Sequence, residues 1–143
     1  MEITTSTGYF QEGAIHLNAI TETLDMFTNG SGAHAVFLGR VRPDVIDGKS
    51  VSGIEYSAYD NMAIELLQNI SEEVKRKYEL PDVCIMHSLG FVASGEVSLV
   101  VVVSDAHRRN TFAACEEIVN RIKKEVPIWG KEILSDQSFH WKK

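Results

Sequence analysis

The sequence predicts an α+β domain, an antiparallel or mixed sheet covered by two long helices. The run 97-VSLVVVVS-104 is apolar enough for a central strand, and it follows 83-VCIMHSLGFV-92 across the turn residues Ala93-Ser94-Gly95-Glu96, as an antiparallel hairpin would. Residues 60–79 and about 107–125 each repeat apolar side chains at helical spacing. At 143 residues the chain is long enough to bury one core without staples, so 1–143 is expected to be a single domain.

Taken in order, 17-LNAITETLDMFTNGSG-32 places Leu17, Ile20, Leu24 and Phe27 on one helical face and stops at a Gly/Ser cluster suited to a C-cap. In 33-AHAVFLGRVR-42 the continuous apolar run Ala35 to Leu38 predicts a buried strand that emerges with Arg40 and Arg42 at its exit. A loop at 43–50 leads to 51-VSGIEYSAY-59, whose alternation predicts a second strand. Asp60 or Asn61 should cap the helix that aligns Ile64, Leu67, Ile70 and Val74, and Leu80-Pro81-Asp82 should stop it. After the hairpin, Asp105 is expected to cap a helix burying Phe112, Cys115, Val119, Ile122 and Val126 and ending at Pro127. The tail 131–143 contains short strand-like pieces. Two strands flanking helix 60–79, then a hairpin and a helix, suggest a ferredoxin-like plan with additions.

Composition narrows the function classes. Hydrophobic content of 44% and charged content of 24% are ordinary for a soluble protein, and no apolar run approaches a membrane span. The start MEITTSTGYFQEG lacks the pattern of a secretory signal, so a cytoplasmic location is expected and the acceptor match Asn29-Gly30-Ser31 carries no consequence. Net charge of -6 argues against nonspecific nucleic-acid binding. Cys84 and Cys115 read as buried free thiols packing in the core, rather than as a disulfide or as nucleophiles. No metal is expected, because the five histidines and two cysteines lack ligand spacing. No cofactor is expected either. Gly48-Lys49-Ser50 is not a phosphate loop, since Pro43 stands where the first glycine is required.

Two cationic stretches remain. In 104-SDAHRRN-110, His107, Arg108 and Arg109 oppose the helix dipole at a helix start, a conflict that an anionic ligand would resolve. A surface arginine pair bridged to Asp105 or Glu117 is the plainer alternative. In 121-RIKKEVPIWGKEIL-134, Lys123 and Lys124 suit a helix C-terminus, where capping explains at least one of them. Pro127-Ile128-Trp129-Gly130 reads as a rigid turn returning the Lys131 amine toward Lys123, and two close amines lower each other's pKa. From His107 to Lys123 is roughly 24 Å along a helix. If both serve one pocket, the histidine and arginines come from a neighbouring subunit, which predicts a homodimer with interfacial pockets.

FLGRVRP, SDAHRR and KKEVPIWGKE, in this order and spacing, resemble the catalytic (large) subunit family of molybdopterin synthase, from about residue 9 to Trp141. The resemblance implies an α/β hammerhead fold with a small additional β subdomain. It also implies a dimer of catalytic subunits bearing one small ubiquitin-like sulfur-carrier subunit at each end. The activity it implies is sulfur transfer from that subunit's C-terminal thiocarboxylate to cyclic pyranopterin monophosphate, forming the molybdopterin dithiolene. Arg42, His107 and Arg108 correspond to the family's substrate-binding residues and Lys123 to its catalytic helix-end lysine. A second lysine is expected directly after the tryptophan, where this chain has Gly130, so Lys131 is the favoured replacement, the competing reading being an impaired protein or the use of another residue. A basic residue from a longer tail also lacks a clear match, with Lys142 or Lys143 as substitutes. The rival reading is a non-enzymatic dimeric module that senses an anionic metabolite through Arg42, His107 and Arg108 and has no use for the lysine amines.

Overall fold

Four consecutive valines make the middle of the sheet. Val100 to Val103 are wholly buried in β6 (Val97–Asp105), because β-branched side chains suit extended backbone and both faces of this strand are covered. The computed structural model describes residues 9–27 and 31–142. Around β6 the main strand order is β2 (Ala33–Arg40), β6, β5 (Asp82–Ala93), β4 (Lys49–Ala58), β7 (Ile128–Leu134) and β8 (Phe139–Trp141). Short β1 (Phe10–Glu12) runs parallel to β5, and β3 (Val45–Ile46) pairs with β4.

On one face of this sheet lie α2 (Asp60–Tyr78) and α3 (Arg108–Glu125), whose Leu67, Ile70, Val74, Ile118 and Ile122 pack with Ile85, Leu99, Val101 and Val103. On the other, Ile20 of α1 (Leu17–Met26) joins Ile15 against Met86, Val100 and Val102. The predicted α+β architecture with two long covering helices is therefore present. Strand β5 serves two sets of partners: residues 82–87 pair with β6, and residues 90–93 pair with β4. Beyond that division β4, β7 and β8 build the additional β unit, and a cleft opens where it meets the helix-covered sheet.

Several local expectations change. Only Ala35 of the run Ala35 to Leu38 is buried, because β2 is an edge strand: Val36 is 40% and Leu38 36% exposed, beyond the cover α1 gives to β5 and β6. Phe112 is 66% exposed rather than buried, since the inward stripe of α3 runs through Thr111, Ala114, Cys115, Ile118 and Ile122 and Phe112 falls off it. The N-cap positions are Tyr59 and His107, neither with a side-chain cap, so the caps expected at Asp60 or Asn61 and at Asp105 fall at other positions. Asp105 ends β6 and accepts from Asn110 Nδ2 at 3.2 Å.

The loop 43–50 holds the β3–β4 hairpin, turned by Asp47 and Gly48 at φ of 53° and 77°, which suits an Asp-Gly pair with both residues left-handed. Lys49 there pairs with Asp136 at 2.8 Å, consistent with a structural turn. Helix α1 ends at Met26 with Phe27 as its cap. Residues 1–8, Asn29-Gly30 of the acceptor match and Lys143 lie outside the described residues. Among the described residues no helix is long and apolar enough to cross a membrane.

Helix α2 ends in a left-handed residue, Glu79 (φ 53°), with Leu80 N–H donating to the Lys75 carbonyl at 2.9 Å and Glu79 N–H to that of Arg76 at 3.3 Å. Glycine reaches this conformation without the steric cost a Cβ imposes. Glu79→Gly is expected to raise the unfolding free energy by up to about 1 kcal/mol, measured by urea denaturation. A destabilised variant would contradict this account of the cap.

Candidate functional site

The cleft has a volume of about 750 Å³. Arg40 and Arg42 reach it from the exit of β2, where a register shift between Gly39 and Arg40 breaks the regular pairing with β6. Lys123 reaches it from the last turn of α3, and Gly130 and Glu132 from β7. Tyr56, His87 and Ser98 also line it, from β4, β5 and β6, with the Tyr56 hydroxyl 3.0 Å from Ser98 Oγ. Lys142, just past β8, lines the same cleft. The acidic groups among the lining residues are Asp44 and Glu132, so cations predominate locally in a chain of net charge -6.

Lys123 and Arg42 therefore line the same cleft. Arg42 holds Asp44 at 3.1 Å, with 74% of its side chain exposed. Lys123 titrates below the usual lysine range, first because the cleft wall removes part of its water and second because the Lys142 ammonium repels its charge. His107 and Arg108 are not in the cleft; they stand exposed at the opposite end of α3. The plainer alternative for the arginine pair finds no support, since Asp105 serves Asn110 and Glu117 serves Lys77 and Tyr78.

Lys131 does not turn toward Lys123. Strand β7 begins at Ile128, directly after Pro127, so the expected turn is extended backbone, and alternation puts Gly130 and Lys131 on opposite faces. Lys131 Nζ lies 3.5 Å from Glu55 and over the rings of Phe139 and Trp141, at 4.9 and 5.9 Å from their centres. The amine near Lys123 is that of Lys142. Its cue in the sequence was weak, a lysine at the chain end whose position depends on β8 folding back along β7.

The cysteines lie outside the cleft, and burial pushes both thiols up, away from the thiolate form. His87 is a cleft residue that motif spacing did not reveal. It donates from Nδ1 to the Ser88 carbonyl at 2.8 Å and meets the Tyr56 ring edge-on at 5.0 Å. Burial lowers its pKa to about 4, opposed by the Ser88 bond and aided by Lys123. Because the unfolded chain titrates near 6.5, it binds the extra proton between pH 6.5 and 4, and stability falls as pH drops through that window. The loss is expected to total about 3 kcal/mol at about 1.4 kcal/mol per unit. In His87→Phe, urea denaturation across the window should show a flatter slope, and a wild-type slope would refute the assignment.

Fold and cleft together define the class: an α+β protein of hammerhead type with a cation-lined cleft between its helix-covered sheet and a smaller β unit. The family model described as MoaE protein matches residues 10–125. The molybdopterin synthase catalytic subunit of Pyrococcus abyssi is 37% identical over 121 residues, covering 84% of this chain and 81% of that one. Its counterpart in Thermoplasma volcanium is 40% identical over 111 residues, covering 78% and 80%. The crystal structure of molybdopterin synthase from Staphylococcus aureus superposes with a TM-score of 0.83 at 30% identity, over 94% of this chain and 96% of that one. A complex of subunits 1 and 2 of the molybdopterin-converting factor from Helicobacter pylori shares the fold, with a TM-score of 0.80 at 21% identity over 94% and 89%. The chain belongs to the MoaE family of molybdopterin synthase catalytic subunits.

Proposed function

We propose that residues 1–143 form one catalytic domain that moves sulfur from the C-terminal thiocarboxylate of a small ubiquitin-like subunit onto cyclic pyranopterin monophosphate, building the molybdopterin dithiolene. The observation that carries this reading is the meeting of Lys123 and Arg42 in one cleft of a MoaE-family chain. Both proposed reactants are anionic, and the cleft is rich in cations. Neither cysteine lies in the cleft and neither thiol is activated, which favours sulfur brought in by a partner over sulfur carried on this chain.

Arg42 would hold the substrate phosphate. Its bond to Asp44 is exposed and worth at most about 1 kcal/mol, whereas a phosphate accepts two parallel guanidinium bonds. Lys123 would contact the acyl tail and move protons during transfer, a role its lowered pKa favours by placing some neutral amine closer to neutral pH. His107 and Arg108 would serve the cleft of a second copy. The length of α3 supports that division, and the exposed Val36 and Leu38 on the β2 edge, with Phe112 on α3, supply apolar surface for a homodimer. Lys131 has no part in this reading, because its amine is engaged on the other face of β7.

The test is reconstitution: the protein is mixed with a thiocarboxylated ubiquitin-like partner and cyclic pyranopterin monophosphate, and molybdopterin is measured. Product formation is expected. Bound pterin without product would favour the metabolite-sensing module instead.

A further inference from the structure

Gly130 and Lys142 face each other across β7 and β8. The register pairs Lys131 with Trp141, Glu132 with His140 and Ile133 with Phe139, and one step further the Lys142 N–H donates to the Gly130 carbonyl at 2.8 Å. Directly opposed residues of an antiparallel pair project to the same face. A Cβ built on Gly130 would stand 3.6 Å from both Cβ and Cδ of Lys142, and 3.0 Å from Ile54 Cγ2. A Cβ at 130 would thus be tight only against Ile54 and in ordinary contact with the stem of Lys142, which passes over the bare face of Gly130, and both residues line the cleft with Lys123 and Arg42.

A solvated lysine near a chain end needs no explanation, but this one sits close enough to Lys123 to oppose its charge. Two ammonium groups held together beside Arg40 and Arg42 repel one another, and an anion placed among them relieves the repulsion. Glycine at 130 leaves room for that arrangement.

We propose that Lys142 is a further substrate-contacting residue of this cleft, reaching from β8 into the space left by Gly130 and holding, with Lys123, the anionic group that enters there. The inference rests on the sulfur-transfer reading for the identity of that anion, the thiocarboxylate tail. The lysine expected at position 130 is on this view supplied by the residue paired with it.

Four full-length proteins test the proposal in the reconstituted reaction: wild type, Lys142→Ala, Lys142→Ala with Gly130→Lys, and Lys131→Ala. Loss of a charge-assisted contact predicts a roughly tenfold to hundredfold fall in kcat/KM for Lys142→Ala. Moving the amine to the paired position should recover most of that loss, because directly paired positions share the cleft face and the only tight contact of a Cβ at 130 is with the Ile54 side chain, which a small shift accommodates. Lys142→Ala within twofold of wild type, no recovery in the double variant, or a greater loss in Lys131→Ala than in Lys142→Ala would each overturn the proposal.

A second readout is independent of turnover. Arg40, Arg42, Asp44, Tyr56, His87, Glu132 and Lys142 are the titratable or charged groups that share the cleft with Lys123. Lys142→Ala should raise the Lys123 pKa, observed by NMR of labelled lysine side chains, and the double variant should lower it again. If wild type makes no product, the sulfur-transfer reading fails by itself. An unmoved Lys123 pKa in Lys142→Ala then overturns the placement of Lys142, and a raised one upholds it.

Discussion

Lys123→Ala is expected to lower molybdopterin formation by roughly 10²–10⁴-fold, the range for loss of a positioned proton-transfer group. Lys123 stands on the last turn of α3, exposed on one side and lining the cleft on the other. No ion pair holds it among the described residues, and the apolar stripe of α3 passes through Ile118 and Ile122, so truncation removes little packing. Unfolding free energy should stay within about 1 kcal/mol of wild type. Single-turnover assays with urea denaturation in parallel separate the two effects. The pH profile adds a sign: a general base whose pKa is depressed gives activity that rises through a pH below the usual lysine range, and Lys123→Ala should lack that rise. A folded Lys123→Ala with near-wild-type turnover would remove this residue from the mechanism.

The second large effect is recovery of activity on mixing two inactive variants. If each cleft draws Lys123 from one copy and His107 with Arg108 from the other, Lys123→Ala and His107→Ala homodimers both lack any complete site. After subunit exchange, half of the dimers pair one variant with the other, and each of those has one intact cleft. Activity should return to about a quarter of the wild-type level, the statistical limit for a two-fold dimer. The extended distance along α3, roughly 24 Å from His107 to Lys123, is what makes a single copy unable to supply both. Mixed variants that stay as inactive as their parents, after exchange is verified by native mass spectrometry, would mean that His107 and Lys123 do not complete one another across an interface.

Much of the fold was legible because its signals are local. The hairpin Asp82–Asp105, the long helices and their inward residues Leu67, Ile70, Val74, Val119 and Ile122 follow from period and turn chemistry. The misses share a cause. Val36 and Leu38 resemble a buried strand by composition, but burial depends on which strand lies at the edge. Phe112 is apolar, but helical phase places it off the covered stripe. Asp105 and Asn61 are good capping residues, but the backbone enters each helix two residues away from them.

The site divides in the same way. Sequence alone determined that cations gather near Arg42, His107 to Arg109 and Lys123 in an acidic chain, and that α3 is too long for its two ends to share one pocket. The resemblance to the family added position 130 as the place where a lysine is expected and glycine stands. Which neighbour stands near that gap was decided only by tertiary structure. Extended backbone sends consecutive side chains to opposite faces, so Lys131, adjacent in sequence, points away to Glu55. Lys142, twelve positions beyond Gly130, is carried back by the β7–β8 pairing and projects on the face that Gly130 leaves open, because directly paired residues share a face whatever their separation along the chain.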